Sequence, residues 1–477
     1  MKSLNKPTLT LVPTPTDAPQ SAFDAVAQLV NSRRSSRDAP FSTFERELHQ
    51  RVMGFEREIL GRELQEMDID APEVLIDGVL HRKVLRAAQT YTTLAGDVVV
   101  ERTLYRPRSE HDGPTVAALD REVGIVDGLL TPGAANLGLY VVSELVPKAA
   151  ESLFRRIGNM TPSKSTLDRL AKHTSSTWEE NRETFEEALR AATVIPQGAC
   201  SVAVSLDGVM APMIEGKRLE KREQTAAEGR LTRGPAGYKE IGCGTLSFCD
   251  ANGEMLSSVR FAHAPEENKA TLKQMIEAEL RLVRDLRPDL DVVKLADGAE
   301  DNWTFLSSTL EDGVEVLDFF HAAEHLSEAL GAAYGDGSKD ARRRFAELRH
   351  VLLEDDDGAE HVIKSLAYLK TKYPRRKKLV QAVAYFRKHR HRMSYAALRK
   401  RGLPIGSGVV EAACKTLVSQ RLKRSGMHWG PDGAQAILTP RGWVQSERYD
   451  EAWALVASTW RARVTVVGQV LPIRRAG

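Results

Sequence analysis

The chain has 477 residues, with 67 Lys or Arg, 65 Asp or Glu and a formal net charge of +2. This length predicts about two to four domains, and a hydrophobic content of 42% is sufficient for buried cores. The near-neutral charge excludes a uniformly basic nucleic-acid-binding protein. No uncharged apolar run is long enough to cross a bilayer, and the N-terminus lacks the apolar core of a signal peptide. We therefore expect a cytoplasmic protein with no membrane partner.

The four cysteines, Cys200, Cys243, Cys249 and Cys414, form no C-x-x-C pair. This spacing argues against a zinc ribbon or zinc knuckle. It is typical of buried thiols in a reducing compartment.

The first part of the chain predicts a tail, a long helix and a hairpin. Residues 1–38 predict a disordered tail, whose first part, to about Gln20, is rich in Pro and Thr. Apolar residues at helical spacing from Phe41 to about Met67 predict an amphipathic helix whose stripe is core or a dimer contact. Residues 88–106 predict a β-hairpin that turns at Ala95–Asp97 and ends at Pro107.

The following helical region could be a helix-turn-helix. Ser143–Ile157 predicts one helix, Gly158 breaks it, and a second helix begins near Pro162. In a helix-turn-helix, Lys164 and Arg169 would lie near a DNA groove, together with Ser163 and Thr166. The alternative is a helical hairpin that binds nothing. We assign residues 39–195 to this N-terminal region, which ends with an acidic helix at about 176–192.

Residues 196–319 predict an α/β domain. Its three initial strands are followed by alternating helix and strand, with a hairpin turn at Asp250–Gly253. This order is that of a ribonuclease-H-like sheet, and no glycine-rich nucleotide-binding motif follows the first strand. The predicted strands are Ser201–Leu206, Lys239–Phe248, Glu254–Phe261, Val292–Ala296 and Val314–Leu317, and the predicted helices are Lys269–Arg284 and Asn302–Thr309.

The chain then leaves the compact sheet. Residues 320–403 predict an all-α insertion, and residues 404–440 return to the core with a helix that carries a third carboxylate. Residues 441–477 are interpreted as a C-terminal tail.

Two aspartates and one glutamate lie at ends of predicted strands or at the start of a predicted helix in this α/β domain. Asp207 and Asp297 each close an apolar run and precede a glycine, and Glu411 follows a Gly-Ser-Gly element. Such carboxylates can converge on two Mg²⁺ or Mn²⁺ ions, which prefer oxygen ligands and stabilise in-line displacement at phosphorus. We predict that Asp207 bridges both ions, with Asp297 and Glu411 on one ion each. Each has a structural alternative, because Asp-Gly is a common turn and Glu411 could pair with Lys415.

A second group of polar residues follows the fifth strand. Asp318 ends this strand and His321 begins the next helix, where the imidazole could bond a phosphate or a catalytic carboxylate. The alternative is that His321 caps or packs the helix. Glu324 could compete with Glu411 as the third ligand. Zinc binding is disfavoured, because this group has neither the thiols nor the residue spacing of a closed zinc site.

Basic residues are concentrated around the third carboxylate. Between Lys370 and Arg424 the chain has seventeen Lys or Arg and one acid, Glu411. A block of this density favours binding to an anionic polymer. The alternative is that these residues form a solvated helical face. Trp429 could stack on an unpaired base or anchor the core. The predicted DNA contacts here are Lys377, Lys378, Arg387, Lys388, Lys415, Arg421, Lys423, Arg424 and Trp429.

At these residues the sequence resembles DDE transposases of bacterial insertion sequences, in particular the ISKra-type branch related to the Mutator-like superfamily. The resemblance spans about 85–440. Its stretches are Val204–Gly208, Leu295–Gly298, Leu317–Leu326, Pro404–Val418 and Arg421–Trp429.

The resemblance implies that Asp207, Asp297 and Glu411 are a catalytic triad with Asp318 and His321 as accessory residues. It also favours Glu411 over Glu324. Members of this family often carry a cysteine pair after the N-terminal hairpin. In this chain the corresponding segment, residues 105–113, contains no cysteine. A zinc role in recognition of DNA ends is therefore doubtful.

The resemblance also implies partners and a reaction. We expect a nucleoid-associated homodimer or higher oligomer that binds terminal inverted repeats, cleaves DNA and joins the freed 3′-OH to target DNA. Two alternatives are a DNA-binding regulator without catalysis and a structure-selective nuclease without strand transfer.

Overall fold

A computed structural model describes residues 20–35, 38–214, 216–230, 237–310 and 312–467. The chain divides into two compact units. Met1–His173 with Trp453–Gly477 form unit 1, and Thr174–Ala452 form unit 2. Within the described ranges, no helix combines the length and apolar character needed to span a membrane.

Unit 1 contains a five-stranded sheet in the order β10-β1-β2-β3-β4. Its core includes Tyr91 and Tyr105, both fully buried. Its elements are α1 (Gln20–Ser35), α2 (Phe41–Glu66), β1 (Glu73–Ile76), β2 (Val79–Thr93), β3 (Gly96–Pro107), β4 (Val116–Ala117), α3 (Ala118–Val123), α4 (Pro132–Glu144), α5 (Pro147–Ile157), the first part of α6 (Lys164–Glu180) and β10 (Val464–Val466).

The long helix and the hairpin are confirmed with small shifts. Strand β2 pairs with β3 in antiparallel register from Thr93 with Gly96, so the turn lies at residues 94–95 and overlaps the predicted turn at Ala95. Gly96 has a φ of 115°, which glycine adopts without strain. Much of the apolar stripe of α2 is exposed, including Phe41 and Val52. The dimer contact therefore stays a prediction for this face of α2.

The proposed helix-turn-helix region has one more break than the sequence indicates. The predicted helix Ser143–Ile157 is divided, because Pro147 starts α5 and cannot continue α4. Helix α6 begins at Lys164, where the Ser163 hydroxyl accepts the Thr166 backbone N–H at 3.1 Å.

Both predicted tails contain regular structure. Helix α1 occupies part of the predicted disordered segment, because Phe23, Val26 and Val30 repeat at helical spacing. The remainder of that prediction, residues 1–19 and 36–37, lies outside the described residues. At the other end, residues 441–467 include helical structure, and β10 pairs antiparallel with β1. The rest of the predicted C-terminal tail, residues 468–477, lies outside the described residues. Neither β1 nor β10 was predicted from the residues of its own segment.

Unit 2 contains a second five-stranded sheet and most of the helices. Its elements are the end of α6, α7 (Arg182–Ala191), β5 (Ser201–Pro212), α8 (Gly216–Ala227), β6 (Tyr238–Cys249), β7 (Met255–His263), α9 (Ala270–Leu286), β8 (Asp291–Ala296), α10 (Glu300–Thr309), β9 (Val314–Leu317), α11 (Phe319–Tyr334), α12 (Lys339–Glu354), α13 (Gly358–Lys372), α14 (Lys377–His389), α15 (Tyr395–Lys400), α16 (Gly408–Ala413), a π-helical turn (Cys414–Ser419), α17 (Gln420–Leu422), α18 (Pro431–Gln445) and the start of α19 (Tyr449–Trp460).

The strand order is β7-β6-β5-β8-β9. Strands β5, β6 and β7 are antiparallel neighbours, and β5, β8 and β9 are parallel neighbours. The five predicted strands and both predicted helices are present, and the Asp250–Gly253 turn closes with a bond from Asp250 N–H to Glu254 O of 2.9 Å. The sequence reading missed α8 and the second half of β5.

Helices cover the two faces of this sheet. The side chains of Leu272 and Ile276 on α9 fill the space left by Gly242 and Gly244 of β6. Helix α16 lies against the face that carries Asp207. The predicted insertion is helical throughout α11–α15, and its buried leucines share one apolar core with the sheet.

Helix α7 contains a carboxyl group whose titration should affect stability. Glu186 is 13% exposed, and its Oε2 lies 3.5 Å from Arg190 Nη1. Burial raises the pKa of Glu186 to about 7 despite the neighbouring arginines. Because the folded state holds this proton more tightly, the free energy of unfolding should fall as pH rises from about 4.5 to 7. The expected change is at most about 3 kcal/mol.

Urea unfolding across this pH range checks the expectation. Glu186→Gln should remove this part of the pH dependence. Glu187→Gln, at an exposed position of the same helix, should leave it unchanged. Identical pH dependence in the wild type and Glu186→Gln would contradict the assignment.

Candidate active site

Asp207 and Asp297 lie at the end of the parallel ladder between β5 and β8. The last parallel pair is Ser205 with Leu295, and each aspartate lies two residues beyond it. Because β5 and β8 are parallel and paired up to this point, the two aspartates are adjacent across the sheet. The charge of Asp297 accordingly helps to raise the pKa of Asp207.

Asp318 extends the same row by one strand. Strands β8 and β9 pair through Ala296 with Leu317, and the Asp318 backbone N–H donates to Ala296 O at 2.8 Å. Asp297 and Asp318 directly follow that pair. Three aspartates therefore follow one another across three parallel strands.

The sequence placed Asp207 at a strand end, and this placement is wrong. Strand β5 continues to Pro212, because its antiparallel pairing with β6 persists after β8 has diverged. Asp207 is thus paired with β6 on one side, whereas on the other side the pairing with β8 has already ended. Its pKa is raised by burial first and by Asp297 second, whereas the Gly208 N–H, 2.7 Å from Oδ1, opposes the shift.

Cys414 joins Asp207 to the helix that carries Glu411. Its Sγ lies 3.5 Å from Asp207 Oδ2. The pKa of the Cys414 thiol is raised by a hydrogen bond with Cys243, by burial and by the Asp207 carboxyl, so the thiol donates its proton. Cys414 also begins the π-helical turn, a rare distortion often found at functional sites.

Glu411 lies one helical turn before Cys414, and residues at this spacing are neighbours on a helix surface. Its side chain is exposed, and its Oε1 lies 3.4 Å from the Ser407 hydroxyl. Glu411 is therefore adjacent to the residue that contacts Asp207. In the described part of the chain, no three His, Cys, Asp or Glu side chains are arranged as a metal-binding group.

Asp297 is oriented by the start of α10. Its Oδ1 accepts the Ala299 N–H at 3.0 Å and the Asn302 side-chain amide at 3.2 Å. The same amide also donates to Leu206 O at 3.1 Å, so Asn302 ties β5 to the loop after β8. The Trp303 indole donates to Asp297 O at 2.5 Å.

Asp318 is fully buried and bonded on both oxygens. Its Oδ1 accepts the His321 N–H at 2.8 Å, so Asp318, and not His321, caps α11. Its Oδ2 accepts both the backbone N–H and the hydroxyl of Ser407. Because Ser407 precedes α16, Asp318 fixes the start of the helix that carries Glu411. The His321 ring is half-buried, with Nδ1 3.6 Å from Glu324 Oε2.

The helical insertion also reaches the row of aspartates. Tyr385 of α14 packs against Gly298, where a β-carbon would lie 2.5 Å from the tyrosine ring. Burial and the charges of Asp297 and Asp318 raise the pKa of Tyr385. The ring centroids of His325 and His389 lie 4.0 and 4.9 Å from that of Tyr385. Burial lowers the pKa of His389 to about 4, so this imidazole is neutral at pH 7.

Most of the predicted DNA contacts are exposed. Lys378 lies 3.2 Å from Glu328 Oε2, Lys388 lies 3.6 Å from Glu300 Oε1, and Arg169 pairs with Asp127 at 2.9 Å. The exposed residues are Lys164, Arg169, Lys377, Lys378, Arg387, Lys388, Lys415, Lys423 and Arg424.

Arg421 and Trp429 are placed differently from the other predicted contacts. Arg421 is 1% exposed and its guanidinium lies 5.6 Å from the Trp429 ring centroid, so it does not present charge to a phosphate. Trp429 donates from its backbone to Pro212 O at 3.1 Å and from its indole to Leu422 O at 2.9 Å. These bonds favour the anchoring role of Trp429 over base stacking.

No family model matches the chain, and no curated protein matches it. Among solved structures, the Drosophila P element transposase strand transfer complex aligns over 69% of this chain and 81% of that chain, with a TM-score of 0.26 and 11% sequence identity.

Four residues of the site were not predicted from the sequence. Asn302 and Ser407 could have been predicted, since each is polar and lies at a helix start near a predicted carboxylate. Cys414 and Tyr385 carry no such local signal, because their roles depend on contacts across the sheet.

Proposed function

We propose that this chain is a DDE transposase with a ribonuclease-H-like core. The observation that carries the proposal is the neighbouring pair Asp207 and Asp297, with Glu411 one helical turn from the Cys414 contact. The strand order, three antiparallel strands followed by two parallel ones, supports the ribonuclease-H-like assignment. The ISKra-type resemblance names the branch.

The donor set suits hard divalent cations. Asp207 and Asp297 offer carboxylate oxygens at the end of the parallel β5–β8 ladder, and their mutual repulsion would be relieved by a cation. Asp207 would bridge two sites, and Asp297 and Glu411 would complete one each. Bound Mg²⁺ or Mn²⁺ would activate the attacking oxygen and stabilise the leaving one.

The remaining residues hold this arrangement. Asn302 and the Ala299 N–H orient Asp297, and the Cys414 thiol orients Asp207. Asp318 and Ser407 fix α16 and hence Glu411. We therefore assign Asp318 a positioning role, while His321, with its half-exposed ring, remains the accessory residue able to approach a phosphate.

Exposed lysines and arginines would hold the DNA backbone. Those of α14 and the residues around Glu411 form the basic part of unit 2, and Lys164 and Arg169 would contact inverted-repeat ends from unit 1. Two DNA ends must be processed together, so a homodimer or higher oligomer on DNA is proposed. The exposed apolar stripe of α2 supports such a contact.

The test uses the full chain and duplexes made from the DNA that flanks its gene. With Mg²⁺ or Mn²⁺ we expect nicking at the repeat end, and with a pre-cut 3′-OH end we expect a joined product with target plasmid. Nicking without joining would favour the structure-selective nuclease. End binding without nicking would favour the regulator, and neither binding nor nicking would reject the proposal.

A further inference from the structure

The hydroxyl of Tyr385 is buried without a hydrogen-bond partner among the residues that the structure describes. A buried hydroxyl without a partner destabilises a fold, and such a group in a native structure requires an explanation. This hydroxyl belongs to the helical insertion but lies beside the row of aspartates, 3.1 Å from the position that a β-carbon on Gly298 would occupy.

The surroundings hold the ring in this place. The ring centroids of His325 and His389 lie 4.0 and 4.9 Å from that of Tyr385, and both imidazoles are tilted against the ring. His389 is itself 2% exposed and contacts Arg392 Nη1 through Nδ1 at 3.2 Å. The ring therefore cannot swing the hydroxyl into solvent without displacing its neighbours.

The carboxyl of Asp297 is the candidate acceptor for the Tyr385 hydroxyl. Asp297 directly precedes Gly298, and the hydrogen bonds that orient its carboxyl, from Ala299 and Asn302, both reach Oδ1. Asp318 is a poorer acceptor, because both of its oxygens are already bonded.

We propose that Tyr385 is a positioning residue whose hydroxyl donates to the Asp297 carboxylate when the site takes up divalent cation. The proposal rests on the proposed function and gives the helical insertion a part in the carboxylate site. Hydrogen bonds to a ligating carboxylate orient it, and their loss typically weakens metal affinity about 10- to 100-fold.

Tyr395 provides a matched control. It lies in the same insertion and its hydroxyl is also buried, but it donates to Leu317 O at 2.9 Å. Tyr385→Phe and Tyr395→Phe each remove one oxygen atom and keep the ring. The first removes an unpartnered group and the second removes a bonded one.

The experiment measures melting temperature without metal, Mn²⁺ affinity by calorimetry and the Mg²⁺ concentration for half-maximal nicking. Tyr385→Phe should keep or raise the melting temperature while weakening Mn²⁺ binding and raising the Mg²⁺ requirement by about tenfold or more. Tyr395→Phe should lower the melting temperature and leave both metal measurements unchanged.

Two outcomes would overturn the inference while leaving the proposed function intact. One is a Tyr385→Phe variant with the Mn²⁺ affinity and Mg²⁺ requirement of the wild type. The other is a fall in its melting temperature equal to that of Tyr395→Phe, which would indicate a structural partner. A wild-type chain that neither binds Mn²⁺ nor nicks DNA would reject both proposals.

Discussion

Asp207→Asn should reduce metal-dependent nicking by about 10³-fold or more, because a bridging carboxylate contributes several kcal/mol through the cations that it holds. Binding to end-bearing duplexes in EDTA should be unchanged. Burial and Asp297 already disfavour the Asp207 charge, so removal of that charge should leave the free energy of unfolding at pH 7 unchanged or higher. Single-turnover nicking, a binding titration and urea unfolding measure the three quantities.

Asp291→Asn is the control for this prediction. Asp291 is exposed at the other end of β8, where it pairs with Arg401 at 3.1 Å. Its substitution should leave nicking unchanged. If Asp207→Asn nicks DNA at the wild-type rate, Asp207 is not a metal-bridging residue and the assignment of the site fails.

Asp318→Ala should destabilise unit 2 by about 3 kcal/mol or more, because it removes a buried carboxylate and leaves its donors unpaired. Those donors are the His321 N–H and the N–H and hydroxyl of Ser407. Ser407→Ala removes one of them and should cost about 1 kcal/mol. Both variants should also nick DNA more slowly, since the start of α16 and with it Glu411 lose their anchor.

Urea unfolding of the full chain measures this effect, with Asp340→Ala as the control. Asp340 is also close to a helix start, but it is exposed and pairs only at the surface with Arg343 at 3.1 Å. Its loss should change stability by less than about 0.5 kcal/mol. Equal stability of Asp318→Ala and Asp340→Ala would show that the Asp318 bonds do not hold the fold.

The sheet of unit 2 was predictable because its signals are local. Short apolar runs separated by turns predicted all five strands, and the Asp250–Gly253 turn predicted the β6–β7 hairpin. The end of β5 was not predictable, because it depends on pairing with β6 rather than on the residues after Asp207. The pairing of β10 with β1 likewise joins segments at opposite ends of the chain.

The candidate site divides in the same way. Asp207, Asp297 and Glu411 were recognisable from residue type and position in the pattern. The burial of Arg421, the anchoring of Trp429 and the bonds between Asp318 and Ser407 depend on contacts between distant segments. Residue type alone therefore placed Arg421 at the DNA surface, where burial excludes it.

The most direct test of the account is to map the metal site with Fe²⁺ in place of Mg²⁺. With hydrogen peroxide and ascorbate added, the bound iron forms hydroxyl radicals that cut the polypeptide nearby, and mass spectrometry locates the cuts. We predict cuts close to residues 207, 297 and 411, suppressed by excess Mg²⁺ and by Asp207→Asn. Absence of cuts near residue 411, or cuts that persist in Asp207→Asn, would contradict a shared site for the three carboxylates.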